Sequence, residues 1–270
     1  MDFYQKITFK KRLIFFLLHN YCSLKYYLLI KFNSNIMEIF QLFSYMHIIT
    51  IFVVVVSSFL IPIACKVFFS SRININISYI IGTILITHEL VKPFYRYHFY
   101  NDPFVEIIPI HMCHLASLSM GLFFFTKKDI FFEIGYFWGM TGNVMAILTP
   151  DLDFFFNWQY FTYYFGHSML LLSIIFTLAC LTHNINFKSV IRVILITLAF
   201  LPPIYLLNFI LGEQANYWYL NTIPKATSIL SFLPNPPLNI IFLVPIGLIL
   251  MMCVYMPYRY FASYKRNIGA

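Results

Sequence analysis

A short stretch of the chain, EIIPIHMCHLASL at residues 106–118, combines several side chains that can do chemistry. It holds Glu106, His111, Cys113 and His114 inside a run that is otherwise apolar. Ionisable groups are costly in such surroundings, so their presence indicates a functional site. A cysteine becomes a nucleophile when a neighbouring histidine takes its proton, which makes Cys113 a candidate catalytic residue.

The composition indicates that the bilayer is the solvent of this protein. Of its 270 residues, 60% are hydrophobic and 10% are charged, whereas soluble domains carry about 25% charged residues. The net charge of +8 arises mainly from residues between apolar runs, as in membrane loops, so we expect no nucleic-acid partner. The five cysteines form no CxxC pair, which disfavours a disulfide framework or a zinc knuckle.

The apolar runs predict an all-α, polytopic membrane protein with a bundle of seven transmembrane helices. Each run is close to the roughly 20 residues that a spanning helix needs, and turn or charge signals separate the runs. The predicted spans are residues 44–65, 77–95, 104–126, 129–149, 158–182, 189–212 and 238–257.

Residues 1–36 differ from the rest of the chain. They carry six of the 18 Lys and Arg residues, and their apolar run, 13–18, is too short for a span. This basic N-terminal extension is interpreted as an interfacial segment, an eighth helix or sequence upstream of a start at Met37. The predicted domain is therefore 37–270, which contains the seven spans.

The distribution of basic residues predicts the orientation. For a chain that starts at Met37, one side carries Lys66, Arg72, Lys127, Lys128, Lys188, Arg259, Lys265 and Arg266, and the other carries Lys92, Arg96 and Lys225. Because basic loops stay in the cytoplasm, we expect a multi-pass protein of the cell (inner) membrane with a cytoplasmic C-terminus.

The depth of the polar residues predicts that they converge. Cys113 and His167 each lie nine residues after the start of their predicted spans, about 14 Å below the outer face at 1.5 Å per residue. His47, Asn143 and Asn216 also lie in the outer half. Cys113 is therefore the predicted nucleophile and His167 the predicted general base, with Asn143 or Asn216 donating to the oxyanion.

Helical periodicity adds detail to the third predicted span. Glu106 and Cys113 are seven residues apart and share a face of a continuous helix. His111 and His114 are three apart and share another face. Pro109 is expected to kink the helix and to open backbone groups to a cavity.

Two other classes of function stay open from the residues alone. The first is an intramembrane metal or haem site, with His47, His88, His111 and His167 as ligands from four helices, although no pair has the i, i+4 zinc spacing. The second is a proton-coupled transporter, in which buried Glu and His side chains relay protons.

Several motifs, in order along the chain, resemble those of the YwaF-like bacterial integral membrane proteins. They are MEIFQLFSYMH at 37–47, PIHMC at 109–113, GNVMA at 142–146 followed by TPD at 149–151, His167, and NYWYL at 216–220 followed by Pro224. That family is related to the transmembrane-protein-164 acyltransferases, which have seven helices and acylate ether lysophospholipids through a cysteine.

The resemblance implies a membrane phospholipid acyltransferase. It matches Cys113 to the acyl-accepting cysteine and His167 to its histidine partner. The residues expected around the substrate are His47, His111, Asn143, Asn216 and Tyr217. The expected partners are membrane phospholipids, and the chemistry needs no cofactor and no metal.

Overall fold

The computed structural model of the chain describes residues 38–181, 183–222 and 233–268, the last eight of them by their backbone. The predicted N-terminal extension, 1–36, lies outside the described residues. Within the described part the chain is all-helical, and its β-structure is an isolated antiparallel bridge. This confirms the all-α prediction.

The described residues form long helices joined by short and irregular ones. The α-helices are α1, Tyr45–Phe68; α2, Ser71–Tyr95; α3, Phe104–Ile107; α4, Met112–Thr126; α5, Asp129–Trp138; α6, Val144–Leu148; α7, Trp158–Cys180; α8, Phe187–Leu211; and α9, Ile240–Ile268. Two wider π-helical turns, Arg96–Tyr100 and Gly139–Asn143, and a 3-10 turn, Tyr217–Tyr219, complete them.

Four helices are long and apolar enough to cross a membrane. By length and composition these are Tyr45–Phe68, Trp158–Cys180, Phe187–Leu211 and Ile240–Tyr260. They correspond to the first, fifth, sixth and seventh predicted spans, so the described residues support a polytopic membrane protein. The helix α2 has 25 residues but lies outside this group, because polar residues such as Asn74, Asn76 and Glu89 interrupt its apolar sequence.

The third predicted span is not one continuous helix. The short α3 ends at Ile107, and α4 begins at Met112. Between them, Ile108 and His111 have extended backbone, with ψ values of 126° and 153°. Pro109 has no N–H group for a helical hydrogen bond, so the chain breaks here instead of kinking.

The interruption corrects the predicted helical faces. Glu106 belongs to α3 and Cys113 to α4, so the shared face expected for a continuous helix does not exist. His111 is the residue that precedes the first turn of α4, and it therefore does not share a helical face with His114. The break instead places Cys113 in the first turn of a new helix.

Glycines bring α2 and α4 into close contact. A Cβ atom added to Gly82 would lie 3.1 Å from Phe124 Cβ, and one added to Gly121 would lie 2.5 Å from Ile86 Cγ1. Small residues at such contacts let helix backbones approach each other. The approach aligns the C-terminal half of α2 with the N-terminal end of α4, where the chemically active residues lie.

A buried carboxylate joins α5 to α8. Glu133 is 4% exposed. Its carboxylate accepts one hydrogen bond from Ser189 Oγ at 2.7 Å and another from Arg192 Nη1 at 3.0 Å. Ser189 also closes a capping box with Asn186 at the start of α8. These contacts of Glu133 serve helix packing.

The described chain divides into two compact units. Among the described residues, the smaller comprises 38–41 and Leu152–Thr162, and the larger comprises Leu42–Asp151 and those described from Tyr163 to Ile268. In the smaller unit an antiparallel bridge pairs Ile39 with Phe154. The functional residues predicted from the sequence all fall in the larger unit.

Candidate functional site

A small polar cavity lies between α2, α4 and α7. The free space among its lining atoms, counting the part that is open to the surroundings, is roughly 210 Å³. Its lining residues are Glu89, Lys92, Cys113, His114, Ser117, Tyr163, Gly166 and His167. The cavity therefore holds a thiol, two imidazoles, a carboxylate and an ammonium group within the larger unit.

The Cys113 thiol occupies the first turn of α4. The first hydrogen bond of this helix runs from the Leu115 N–H to the His111 carbonyl oxygen, at 3.1 Å. The amide groups of Met112, Cys113 and His114 precede that bond, and such first-turn N–H groups carry the positive end of the helix dipole. The thiol thus lies beside donors that can stabilise negative charge.

The second π-helical turn, Gly139–Asn143, forms another wall of the site. A Cβ atom added to Gly142 would lie 3.5 Å from the Cys113 sulfur, so the backbone passes close to the thiol. The i→i+5 turns of this type are rare and occur frequently at functional sites. The same turn ends on Asn143, which is 0% exposed.

Asn143 fixes the orientation and the tautomer of His167. The Asn143 Nδ2 group donates to the His167 backbone oxygen at 3.0 Å, which places the amide oxygen of Asn143 against the imidazole. An amide oxygen only accepts, so the Nδ1 atom of His167 carries the proton. The neutral ring therefore keeps its lone pair on Nε2, the atom a general base uses. The ring packs against Tyr163, with centroids 4.3 Å apart.

Glu89 and His114 form a second oriented pair in the cavity. The His114 Nδ1–H group donates to Glu89 Oε2 at 2.6 Å. Glu89 is 3% exposed, and its other oxygen lies 3.6 Å from His88 Nδ1. From the sequence, His88 is a candidate metal or haem ligand, and no pattern there connects Glu89 with His114.

The structure places three of the seven predicted site residues together. Cys113 and His167 line the cavity, and Asn143 holds His167 through both of its polar side-chain atoms. The Asn143 amide uses its oxygen and one of its two N–H groups on His167, an arrangement that orients the imidazole, whereas the sequence proposed Asn143 as a donor to the oxyanion.

The residues His111 and Tyr217 lie in contact with each other. Their ring centroids are 5.0 Å apart, and the His111 ring is 5.9 Å from that of His114. The Tyr217 hydroxyl donates to the Val105 carbonyl oxygen at 2.5 Å. Burial raises the pKa of Tyr217 to about 12, so the phenol remains a neutral donor. Both side chains therefore pack behind the start of α4.

Asn216 and His47 make backbone contacts outside this group. Asn216 accepts from the Thr222 N–H at 2.9 Å and donates to the Thr222 oxygen at 2.9 Å, which organises the loop after the 3-10 turn. His47 accepts from the Phe43 N–H at 2.9 Å, and its Nε2 atom lies 3.2 Å from the Ile147 oxygen. These contacts give both residues a role in holding the chain.

The cavity also contains residues that the sequence did not assign to the site. These residues are Glu89, Lys92, Ser117, Tyr163 and Gly166. Glu89 and Lys92 interrupt an apolar run three residues apart, and that spacing on one helix face is the signal that could have identified them.

The described residues show no group of three or more His, Cys, Asp or Glu side chains that could hold a metal ion. In the four-histidine alternative, His47 is engaged by backbone groups and His167 by Asn143.

Comparison with known proteins identifies similar sequences. The model of the TMEM164 family matches residues 42–255. An uncharacterized protein of Treponema pallidum (strain Nichols) is 29% identical over 154 residues, which are 56% of this chain and 62% of that relative. The chain thus spans about three fifths of the length of the curated relative it matches. No solved structure matches the chain.

Proposed function

Since the chain belongs to the TMEM164 family, we propose that it is a membrane acyltransferase in which Cys113 carries a fatty acyl chain as a thioester. The observation that supports this most is the lining of one cavity by Cys113 and by His167, whose ring Asn143 holds in the Nε2-basic tautomer. Nucleophile, base and orienting amide form the arrangement that activates a cysteine.

The acylation step needs the imidazole because a free thiolate is costly in an apolar chamber. The Cys113 proton passes to His167 Nε2 as the sulfur attacks the carbonyl carbon of a lipid ester. The tetrahedral intermediate then loses the lipid alkoxide, which takes the proton from His167. The products are an acyl-thioester on Cys113 and a lysolipid.

The oxyanion of that intermediate requires hydrogen-bond donors. Asn143 and Asn216 are engaged elsewhere, so we assign this role to the first-turn amides of α4, including that of Cys113 itself. Preorganised N–H groups at a helix N-terminus stabilise developing negative charge without rearrangement.

The substrates are membrane phospholipids that reach the cavity from the bilayer. Cys113 and His167 are only partly buried. Around them, α2 and α7 expose large apolar side chains, among them Val91, Phe94 and Phe165, at 50%, 67% and 47%. In this proposal the reacting ester reaches the thiol at the cavity, and these faces leave the acyl chains in contact with lipid.

The proposed topology has seven spans, with the C-terminus in the cytoplasm of the cell (inner) membrane. Three segments add to the four apolar helices: α2, the broken segment 104–126 and the segment 129–148. Breaks divide the segments 104–126 and 129–148 into helices shorter than a span, and polar residues interrupt α2, so length and composition do not select these three segments. Within the family, the PIHMC and NYWYL motifs group the chain with the YwaF-like proteins.

Acyl transfer is tested with an alkyne-tagged fatty acyl phospholipid and the purified protein in lipid nanodiscs. The wild-type protein should acquire a label that neutral hydroxylamine releases, as a thioester requires. Cys113→Ser should acquire no hydroxylamine-labile label.

The matched control is Cys65→Ser, which removes another free thiol, a buried one in α1. It should be labelled as fast as the wild type. A wild-type protein that acquires no label, or a label that persists in Cys113→Ser, rules out the Cys113 thioester.

A further inference from the structure

The cavity contains a second oriented imidazole that acylation of Cys113 does not use. We propose that His114, held by Glu89, is the general base of the second half-reaction and activates the hydroxyl group that accepts the acyl chain. This inference rests on the proposed function, because it assigns the residue that removes the acyl chain from Cys113.

The two histidines lie on different walls of the cavity. His167 belongs to α7 and is held by Asn143, whereas His114 belongs to α4 and is held by Glu89 of α2 at 2.6 Å. Consecutive residues of a helix point about 100° apart, so the His114 ring does not share the direction of the Cys113 thiol. Each imidazole can therefore serve a different reacting group.

The Glu89 contact sets His114 up as a base. A carboxylate only accepts, so the Nδ1 atom of His114 carries a proton and the neutral ring keeps its lone pair on Nε2. Glu89 also stabilises the imidazolium that forms when Nε2 takes a proton. With Glu89 at 3% exposure, water does not screen this interaction, and the carboxylate acts as a positioning residue.

The deacylation step needs no reactant beyond the acceptor hydroxyl group. The acceptor hydroxyl gives its proton to His114 Nε2 while its oxygen attacks the thioester carbonyl carbon. The carbon–sulfur bond then breaks, and the departing Cys113 thiolate recovers a proton from the imidazolium. The acceptor is a molecule with a free hydroxyl group that enters the cavity, either a lysolipid or water. Lys92 also lines this cavity.

The two half-reactions can be measured separately. The protein is first acylated with the alkyne-tagged phospholipid, the excess donor is removed, and unlabelled lysophospholipid is added. Loss of label from the protein gives the transfer rate. Labelled diacyl lipid as the product indicates a lysolipid acceptor, and labelled free fatty acid indicates water.

In His114→Asn the acylation step keeps His167 and Asn143, so acylation should slow far less than transfer does. The transfer step of this variant should slow by about 100-fold or more, the range for loss of a general base. Glu89→Gln retains an oxygen that accepts from His114 but loses the charge, and its transfer step should slow by about tenfold.

The matched control is His183→Asn. His183 also pairs with a carboxylate, Asp129 Oδ1 at 3.1 Å, but it lies outside the cavity lining. Both of its rates should equal those of the wild type.

Two results overturn the inference while leaving the thioester in place. One is a His114→Asn protein that transfers its acyl chain at the wild-type rate. The other is a His114→Asn protein that takes up no label while His183→Asn does, which shows that His114 acts before transfer. A wild-type protein without label removes the proposed function itself.

Discussion

The orientation of His167 by Asn143 gives the sharpest test of the site. In Asn143→Leu, a side chain of similar size loses both hydrogen bonds to His167, one to the ring and one to the backbone oxygen. Each is worth about 0.5–1.5 kcal/mol net, so the pair is worth about 1–3 kcal/mol. If positioning of the base takes this whole amount, acylation of Cys113 slows by about 5- to 150-fold.

The assay is the initial rate of hydroxylamine-labile labelling, measured beside the melting temperature. Ser189→Ala is the control for stability, because Ser189 is also 0% exposed and its hydroxyl also makes two hydrogen bonds. Both variants should melt at lower temperatures, and only Asn143→Leu should label slowly.

Asn143→Asp separates the two bonds. It keeps an acceptor for the imidazole Nδ1–H and loses the donor to the His167 carbonyl, so its labelling rate should lie between those of the wild type and Asn143→Leu. A labelling rate for Asn143→Leu within twofold of the wild type, or equal slowing in Ser189→Ala, would refute the orienting role.

Two further predictions concern the glycines that shape the site. Gly121→Ala should lower stability by about 1–3 kcal/mol and so lower the melting temperature, because its Cβ would meet Ile86 Cγ1 at 2.5 Å. The control, Gly247→Ala, has nothing within 4 Å of the added Cβ and should melt like the wild type. Equal melting temperatures of the two variants would contradict the close contact. Gly142→Leu should slow the labelling of Cys113, because a Cβ at this position already lies 3.5 Å from the sulfur and a longer side chain fills the space of the substrate carbonyl. An unchanged labelling rate would contradict that placement.

The sequence predicted much of the helical framework because hydropathy averages over whole segments. The helices α1, α7, α8 and α9 follow the predicted apolar runs. The prediction was weaker where local chemistry decides the backbone. Pro109 was expected to kink a helix, but together with the extended Ile108 and His111 it ends one helix and starts another.

The sequence predicted the depth of the site residues in the membrane, but it did not predict their contacts. Depth along separate spans predicted that Cys113 and His167 lie at one level, and both residues line the same cavity. Depth carries no information on which side chain faces which neighbour. The pairing of Glu89 with His114 depends on the close approach of α2 and α4 at their glycines, and the pairing of Asn143 with His167 depends on a wide turn. Neither contact is visible in the spacing of residues along the chain.

That wide turn, Gly139–Asn143, has a consequence for reading related sequences. A π-helical turn accommodates one residue more than the α-helical turn it replaces. Deleting any one residue from this stretch would rewind the segment and rotate Asn143 away from the imidazole by about 100°. In an alignment, a single-residue gap at 139–143 would therefore mark relatives whose histidine lacks its orienting amide, even where the cysteine and the histidine themselves are present.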